Sequence, residues 1–405
     1  KDVFEDGLGA IWNKDSENDP LNALIAKAQM PWRDVLVLRA CVKYMRQTGI
    51  QYTPTYMMQA VTDNPDIADL MLEYFYGAHK PVHDADTRKN LMSSNKRKIK
   101  KKLEKVTSFD QDKILRSLLQ IMDATLRTNF FQNKSHVSFK LDSAKIDILP
   151  LPRPMVEIFV YSPRVEGVHL RGGKVARGGL RWSDRHEDLR TEVLGLMNAQ
   201  NVKNAVIIPV GSKGGFVVKN PPTTGGREAF QAEGIECYKI FISGLLDITD
   251  NIKGKKIIPP KDVVRHDADD PYFVVAADKG TATFSDIANG ISADYDFWLG
   301  DAFASGGSAG YDHKAMGITA KGGWESVKRH FRELGKNIQE EEFDVIGVGD
   351  MGGDVFGNGM LLSKHIRLVG AFNHMHIFCD PNPNAAASFK ERKRLFDKVK
   401  GWGDY

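Results

Sequence analysis

The stretch Phe343–Gly352 reads FDVIGVGDMG, a short apolar run that ends in a GxGxxG pattern. Gly347 permits a tight turn, Gly349 lets the backbone approach a pyrophosphate, and Gly352 lets helix and strand pack closely. A helix that begins after such a turn offers unpaired N–H groups to phosphates. The pattern therefore predicts the strand, turn and helix that open a dinucleotide-binding unit.

A second apolar strand, His376–Cys379, follows and ends at Asp380. An acid at the end of that strand accepts hydrogen bonds from a ribose 2′-OH and repels a 2′-phosphate, so Asp380 favours NAD over NADP. The alternative is a glycine-rich turn that binds nothing. Asp350 and Asp354 also place negative charge near the expected phosphates, and the pattern does not account for them.

Another chemical signal is Lys203–Gly215, KNAVIIPVGSKGG, an apolar strand that ends in a glycine turn around Lys213. A lysine packed there, desolvated and near other cations, has a pKa lowered towards neutrality. Downstream, the buried-type strand Val274–Ala277 ends at Asp278, where ligands of open α/β sheets bind. We interpret the two residues as an acid–base pair, although exposed turn lysines without a catalytic role are common.

The segment Arg177–Arg181, RGGLR, carries two guanidinium groups, which are suited to binding carboxylates. Two other patterns are weaker. Gly306–Gly310, GGSAG, matches the serine-hydrolase GxSxG around Ser308, but the residues before it are poor strand formers. The histidine-containing stretches 266–270 and 374–376 lack a further element with ligand spacing, so no metal site is predicted.

The amino-acid composition limits the classes of protein to which the chain can belong. The 405 residues are 42% hydrophobic and 27% charged, which excludes wholesale disorder and allows two or three domains. No apolar run approaches the roughly 18 residues of a membrane span. Three cysteines without CxxC spacing indicate a reducing, cytoplasmic compartment. The chain opens with Lys1 rather than Met, so it is predicted to be a piece of a longer protein.

The net charge of +4 is local, since Lys96–Lys105 holds most of the excess. Ile99 and Leu103 lie four residues apart within that run, which is typical of a solvated helix with one narrow apolar edge. A nucleic-acid surface would spread basic residues over a whole face and interleave aromatic ones, so nucleic-acid binding is not predicted.

The pattern along the chain predicts an α/β protein in three parts. Residues 1–135 form a helical arm, in which the apolar stripe from Asp112 to Phe131 has helical period. Residues 136–322 form an α/β substrate-binding catalytic domain, with an insertion at about 220–262 marked by proline and glycine clusters. Residues 323–405 form the start of a Rossmann-like dinucleotide-binding domain.

Taken in order, these motifs resemble the glutamate dehydrogenases. The match includes RGGLR, the loop PVGSKGG, the segment ADKGT at 277–281 and the later GxGxxG. Finer details resemble the large, multidomain NAD-dependent members, and they lie in three stretches: Tyr161–His169, Trp182–Arg185 and Gly300–Gly310. The resemblance covers essentially the whole chain and implies its central, catalytic-domain portion.

The resemblance implies roles by position. Lys213 matches the catalytic lysine, Asp278 the acid–base aspartate, and Lys203 a lysine that holds a substrate carboxylate. Arg177 stands where the smaller enzymes carry a carboxylate-binding lysine, a departure that keeps the charge and changes its geometry. Thr319 resembles the family threonine near the nicotinamide.

The implied reaction is oxidative deamination of L-glutamate to 2-oxoglutarate and ammonia, with NAD as acceptor, in amino-acid catabolism. The family also implies a homo-oligomer, a tetramer. A branched or aromatic amino acid is the nearest alternative substrate. Arg177, Arg181 and Lys203 supply enough cations for two carboxylates, which favours glutamate. A serine hydrolase at Ser308 is the less favoured alternative of another class.

Overall fold

The computed structural model describes residues 1–203, 210–276, 282–308 and 313–405, and it divides into two compact units, Lys1–Gly307 and Ser308–Tyr405. The helices of the first unit are α1 (Asp2–Trp12), α2 (Ala23–Lys27), α3 (Trp32–Arg46), α4 (Pro54–Thr62), α5 (Pro65–His79), α6 (Ala85–Leu103), α7 (Phe109–Asp123), α8 (Leu189–Lys203), α9 (Gly226–Leu246) and α10 (Ala282–Asp294). Its strands are β1 (Thr125–Thr128), β2 (Val137–Asp142), β3 (Val156–Tyr161), β4 (Val165–Arg171), β5 (Ala176–Arg177), β6 (Leu180–Trp182), β7 (Val210–Val218), β8 (Asn251–Lys253), β9 (Lys256–Ile258), β10 (Val275–Ala276) and β11 (Ala304–Ser305).

The second unit contains α11 (His313–Met316), α12 (Ile318–Glu333), β12 (Phe343–Val348), α13 (Asp354–Gly359), β13 (Ile366–Phe372), β14 (Ile377–Cys379) and α14 (Ala385–Asp397). The predicted α/β class with a helical N-terminal region is confirmed. The division into three domains stays a proposal, and within the first unit the N-terminal helices and the sheet share one hydrophobic core.

The N-terminal helices begin where the sequence supplies caps. Thr53, Asp84 and Ser108 each accept a hydrogen bond from a backbone N–H in the first turn of α4, α6 and α7. The predicted helical stripe to Phe131 is wrong in its second half. Helix α7 ends at Asp123, and the next residues form β1 because they pair with β2 at the edge of the sheet.

Helix α6 carries the basic run and has the predicted narrow apolar edge. Asn95, Ile99 and Leu103 are its buried residues. Lysines on the remaining surface contact acids of α5, as in the Lys102–Asp66 pair, whose N···O distance is 2.5 Å. Exposed pairs of this kind contribute little to stability, so packing of the apolar edge holds the helix in place.

The main sheet of the first unit has the order β1-β2-β3-β4-β7-β5, and β6 also pairs with β7. Strands β1 to β4 and β7 are antiparallel neighbours, whereas β5 and β6 run parallel to β7. Strand β7 is therefore an interior strand with partners on both sides. Both faces of the sheet are covered, since alternate residues such as Phe159 and Val160 enter two different cores.

The core on one face joins the sheet to the N-terminal helices and α8, and the core on the other joins it to α9 and α10. Helix α9 comes from the stretch 220–262, and it approaches the sheet very closely. A Cβ at Gly167 would lie 2.4 Å from the ring of Phe241 on this helix. The stretch therefore forms part of the core.

A row of buried ion pairs ties this sheet to two loops. The guanidinium of Arg127, on β1, lies 2.6 Å from Asp267 and 3.0 Å from Asp250. Lys140, on β2, lies 2.5 Å from Asp267 and 2.6 Å from Asp270. Lys140 is buried, and its ammonium is paired with both of these carboxylates.

The row continues to β4, where Arg171 donates to both oxygens of Asp270. Burial alone would raise the pKa of Asp270, but the guanidinium of Arg171 and the ammonium of Lys140 lower it well below its usual value. Asp270 is thus ionised, and the loop that carries it is held against the sheet a few residues before β10 begins.

The second unit opens as a βαβ element. Strands β12 and β13 are parallel, helix α13 lies between them in the chain, and β14 returns antiparallel to β13. One face of this three-stranded sheet packs on a core that includes Trp324, Leu368 and Leu395. Large apolar side chains on the other face are exposed, among them Ile346, Val348, Phe372 and Ile377.

No helix in the described ranges is both long enough and apolar enough to cross a bilayer.

We expect Arg127→Met to destabilise the protein strongly, because it removes the buried guanidinium that Asp250 and Asp267 share and leaves them only Arg265 and Lys140 as partners. Removing one member of a buried ion pair costs about 3–5 kcal/mol in the free energy of unfolding. Urea unfolding of both proteins measures the difference, provided that the free energy of unfolding depends on urea concentration with the same slope in each. The control is Arg116→Met, which breaks an exposed pair with Asp112 and should cost about 1 kcal/mol or less. Equal losses in the two variants would contradict a structural role for the buried row.

Candidate active site

Lys213 lies on the interior strand β7, half-buried and in register with Leu170 of β4. Strands β5 and β6 run beside β7 on its other edge, so that Arg177 pairs with Gly211 and Leu180 pairs with Gly214. The motif RGGLR therefore wraps along the strand that carries the lysine. Two motifs that the sequence singled out separately are brought together by the sheet.

The two glycines of that motif are required by close backbone approach. A Cβ at Gly178 would lie 1.5 Å from the carbonyl oxygen of Ser212, a distance that no side chain can occupy. A Cβ at Gly179 would lie 3.2 Å from Nζ of Lys213 and 3.4 Å from the carbonyl oxygen of Ala276. The ammonium group of Lys213 and the carboxyl end of β10 thus both lie close to Gly179.

Asp278 follows β10 by two residues and lies outside the described residues, as does most of the strand predicted before Lys213. Lys203 is the last residue of α8. The convergence of Lys213 with Asp278 and Lys203 therefore stays a prediction.

The two arginines of the motif differ in what they contact. Arg177 is exposed and makes no hydrogen bond or ion pair with any residue that the structure describes, so its guanidinium is available to a ligand. Arg181 had been expected to be free as well, but its Nε lies 2.7 Å from Oε1 of Glu192. Glu192 also accepts a hydrogen bond from the hydroxyl of Ser183. Sequence spacing did not reveal this pair, because it joins β6 to α8 through tertiary structure.

His169 is a buried neighbour of the site that sequence patterns did not indicate. It pairs in register with Gly214, next to Lys213, and its ring lies 4.5 Å from that of Phe273. Burial lowers the pKa of His169 to about 3, so the ring is neutral at physiological pH. It adds no positive charge beside the lysine.

In the second unit, the glycine turn lies between β12 and a helix, as predicted. Gly349 has φ +137°, in the region that favours glycine, and a Cβ there would lie 2.8 Å from Phe356 of α13. Gly347 faces the same ring at 2.7 Å. Helix α13 begins at Asp354 rather than directly after Gly352. Gly347 and Gly349 therefore let strand and helix pack closely, a role that the pattern had given to Gly352.

Of the two acids that the pattern left unexplained, Asp350 is engaged by hydrogen bonds within the unit. The carboxylate of Asp350 accepts hydrogen bonds from the backbone N–H of Gly352 at 2.9 Å and from the side-chain amide of Asn373 at 2.8 Å. Asp350 thus binds the turn to the end of β13. With its carboxylate engaged in this way, the turn is compatible with a dinucleotide.

The prediction that His376–Cys379 is the second strand of the dinucleotide-binding unit is wrong, because β13 takes that place. Strand β14 runs antiparallel to β13, so it leads the chain back from that edge, and the N–H of Asp380 donates to the carbonyl of Val369, within β13. The residues at the carboxyl edge are Phe372 and Asn373. A contact of Asp380 with a ribose stays a prediction. Spacing alone could have indicated Asn373, since it lies about 20 residues after Gly352.

The structure also describes the positions of Thr319 and Ser308, the two remaining predicted site residues. Thr319 is exposed in the first turn of α12, after Gly317 with φ +63°. Ser308, of the GxSxG pattern, follows the two-residue strand β11, and residues 309–312 after it lie outside the described part. Within the same described ranges, no group of three or more metal-ligating side chains occurs.

A lysine on an interior strand of one α/β unit, and a glycine turn that opens a βαβ element in another, are the arrangement of an α/β dehydrogenase. Residues 98–405 match the family described as bacterial NAD-glutamate dehydrogenase, catalytic domain, and residues 16–81 match glutamate dehydrogenase helical motif 3. The chain belongs to the bacterial NAD-glutamate dehydrogenase family.

Individual relatives agree with this assignment. The chain is 58% identical over 415 residues to the NAD-specific glutamate dehydrogenase of Pseudomonas aeruginosa, covering 100% of this chain and 26% of that protein. It is 54% identical over 417 residues to that of Mycobacterium tuberculosis, covering 99% and 26%. The chain thus spans about a quarter of the length of the curated relatives it matches. A solved hetero-hexameric glutamate dehydrogenase from Thermus thermophilus is 17% identical, with TM-score 0.36 over 64% of this chain and 55% of that chain.

We expect Gly178→Ala to disrupt the edge of the sheet, because the added methyl group would overlap the carbonyl of Ser212. Overpacking of this kind costs about 1–3 kcal/mol in the free energy of unfolding. The control is Gly195→Ala in α8. A Cβ at this position meets nothing within 4 Å, so the substitution should stabilise the helix by about 0.5–1 kcal/mol. Denaturant unfolding measures both. A Gly178→Ala protein as stable as the parent would contradict the close approach.

Proposed function

We propose that the protein containing this chain catalyses NAD-dependent oxidative deamination of L-glutamate to 2-oxoglutarate and ammonia. The observation that carries the proposal is Lys213, whose ammonium lies beside Gly179 at the carboxyl end of β10, in a chain of the bacterial NAD-glutamate dehydrogenase family. Relatives that are 54–58% identical over this whole chain bear the name NAD-specific glutamate dehydrogenase.

The chain's own residues have the following roles in this proposal. Lys213 polarises the developing oxygen and activates the water that adds to the iminium carbon. Asp278 accepts and returns the protons that leave and reach nitrogen, so that ammonia departs as the carbonyl forms. When bound, NAD accepts the hydride from the α-carbon of the substrate.

Substrate binding is assigned to the cations of the first unit. Arg177, with no partner among the described residues, is placed to bind a substrate carboxylate by a bidentate contact. Lys203 is proposed to hold the other carboxylate. Arg181 can bind a substrate carboxylate only if its ion pair with Glu192 breaks. We therefore assign it a smaller contribution to substrate binding than Arg177 and Lys203. Two carboxylate contacts favour glutamate over a branched or aromatic amino acid.

The second unit is proposed to bind NAD through Gly347, Gly349 and Gly352, with Thr319 near the nicotinamide. The strand–turn–helix order supports this role, and the close packing of the first two glycines against Phe356 brings the helix next to the end of the strand. We further propose a cytoplasmic homo-oligomer, a tetramer, that acts in amino-acid catabolism.

We expect Lys213→Ala and Asp278→Asn, made in the complete protein, to lower kcat by about 10²–10⁴-fold, because each removes a group that transfers or stabilises protons. Lys255→Ala, at an exposed turn, is the matched control and should retain turnover. Steady-state NADH formation is measured with glutamate, leucine and phenylalanine. Near-normal turnover in either site variant would refute the assigned roles, and faster turnover of leucine or phenylalanine would refute the substrate.

The cofactor preference is expected to be NAD over NADP, and Asn373 is the residue whose replacement should change it most. It lies at the carboxyl edge of the βαβ element, where Asn373→Asp adds a carboxylate that repels a 2′-phosphate. The same substitution replaces the amide that donates to Asp350, so kcat/KM with NAD should fall as well, and the ratio of the two cofactors is the quantity compared. We expect a further loss of kcat/KM with NADP of about tenfold. Asp380→Asn is the companion variant, and we expect it to change the NAD-to-NADP ratio less. A larger change from Asp380→Asn would support the assignment made from sequence.

A further inference from the structure

A cavity of about 490 Å³ in the first unit lies apart from the residues assigned above. It opens between α5, α6 and the segment 264–266, with the end of α7 at its side. Its volume is in the range of sites that bind small molecules. Neither Lys213 nor Arg177 lines it, so it is not the substrate site.

The side chains around the cavity are strongly cationic. Arg88, Lys89, Lys96 and Arg265 line it, against Asp123 as its acid. Asp123 is already engaged, since it lies 2.8 Å from the ammonium of Lys96 and accepts a hydrogen bond from the hydroxyl of Tyr74. The wall therefore carries an excess of positive charge that its own acid does not balance.

His266 also lines the cavity and does not add to that charge. Its Nε2–H donates to the carbonyl of Ala78 at 3.0 Å, and burial lowers the pKa of His266. The positive potential thus comes from arginine and lysine, and it persists over the physiological pH range.

Arg88 is held in place by backbone carbonyls instead of by an acid. Its Nε donates to Ala78 and one terminal nitrogen donates to His83, both at 2.8 Å. In the described part of the chain, no carboxylate forms an ion pair with either Arg88 or Lys89. A fixed guanidinium next to an unengaged ammonium is a preorganised arrangement for an anion, because little ordering is needed on binding.

Arg265, on the segment 264–266, also lines the cavity and has N–H groups that are not used by its ion pairs. One terminal nitrogen contacts Asp250 at 3.2 Å and Asp269 at 2.6 Å. Its remaining N–H groups have no partner among the described residues, and the hydroxyl of Ser93, on α6, adds a neutral donor. Donors on two walls of one cavity suit a ligand with more than one anionic group.

We propose that this cavity binds a small polyanion that carries two or more phosphate or carboxylate groups. Arg88 on α6 and Arg265 on the segment 264–266 contact the anionic groups, Lys89 closes the contact at the exposed side, and Ser93 donates a hydrogen bond. The site is separate from the proposed reaction, and its occupancy is measurable without turnover.

The test is isothermal titration calorimetry on the complete protein, with inorganic pyrophosphate and with citrate as probes, each at an ionic strength matched with sodium chloride. We expect saturable binding of at least one probe, and the probe that binds identifies phosphate or carboxylate chemistry. Lys89→Glu and Ser93→Asp should each weaken that binding by about tenfold or more, since each places a carboxylate against the anion.

The matched control is Lys101→Glu, which makes the same charge change at an exposed lysine of α6, about 18 Å further along the helix at 1.5 Å per residue. Binding to this variant should stay within about twofold of the parent. Thermal unfolding of each variant verifies that it is folded. The proposal is overturned if neither probe binds saturably, if Lys89→Glu and Ser93→Asp bind as the parent does, or if Lys101→Glu loses as much affinity as they do.

Discussion

The row of buried charges on the main sheet is the constraint on which the first unit depends. Arg127, Lys140 and Arg171 come from β1, β2 and β4, and the carboxylates that they meet all come from loops outside the sheet. None of these charges is stable alone in the interior, because the loss of hydration costs several kcal/mol per ion. The loop before β10 is therefore held by electrostatics instead of by regular secondary structure. That loop also determines where β10 starts, and hence where the chain reaches Asp278.

Close backbone approach is the second constraint, and it lies at the places where the chemistry is proposed. Gly178 allows β5 and β6 to run against the carbonyl of Ser212, and Gly179 leaves room for the ammonium of Lys213. In the other unit, Gly349 allows the turn to meet α13. Each glycine removes a side chain from a contact that the backbone or a reactive group occupies. Gly178 and Gly349 thus permit tight packing, and Gly179 keeps the space next to Lys213 clear of a side chain.

Local pattern determined much of the secondary structure and the identity of the motifs. The narrow apolar edge of α6, the alternation in β2, and the strand–turn–helix order from β12 to α13 all follow from spacing along the chain. These features are local because each depends on residues only two to four positions apart, which share one face of a strand or helix. The order of motifs along the chain likewise indicated the family without any structural information.

Only the tertiary structure decided which of those residues meet. Lys140 is buried because loop acids fold over it, and Arg181 is engaged because α8 brings Glu192 to it. Asp380 lies away from the carboxyl edge because β14 runs antiparallel to β13, and Asp350 accepts a hydrogen bond from the amide of Asn373 at the end of β13. Each outcome depends on the direction of a strand or on a partner distant in sequence. Residue spacing within one segment does not encode such contacts, because the energy of a charge depends on what surrounds it in space.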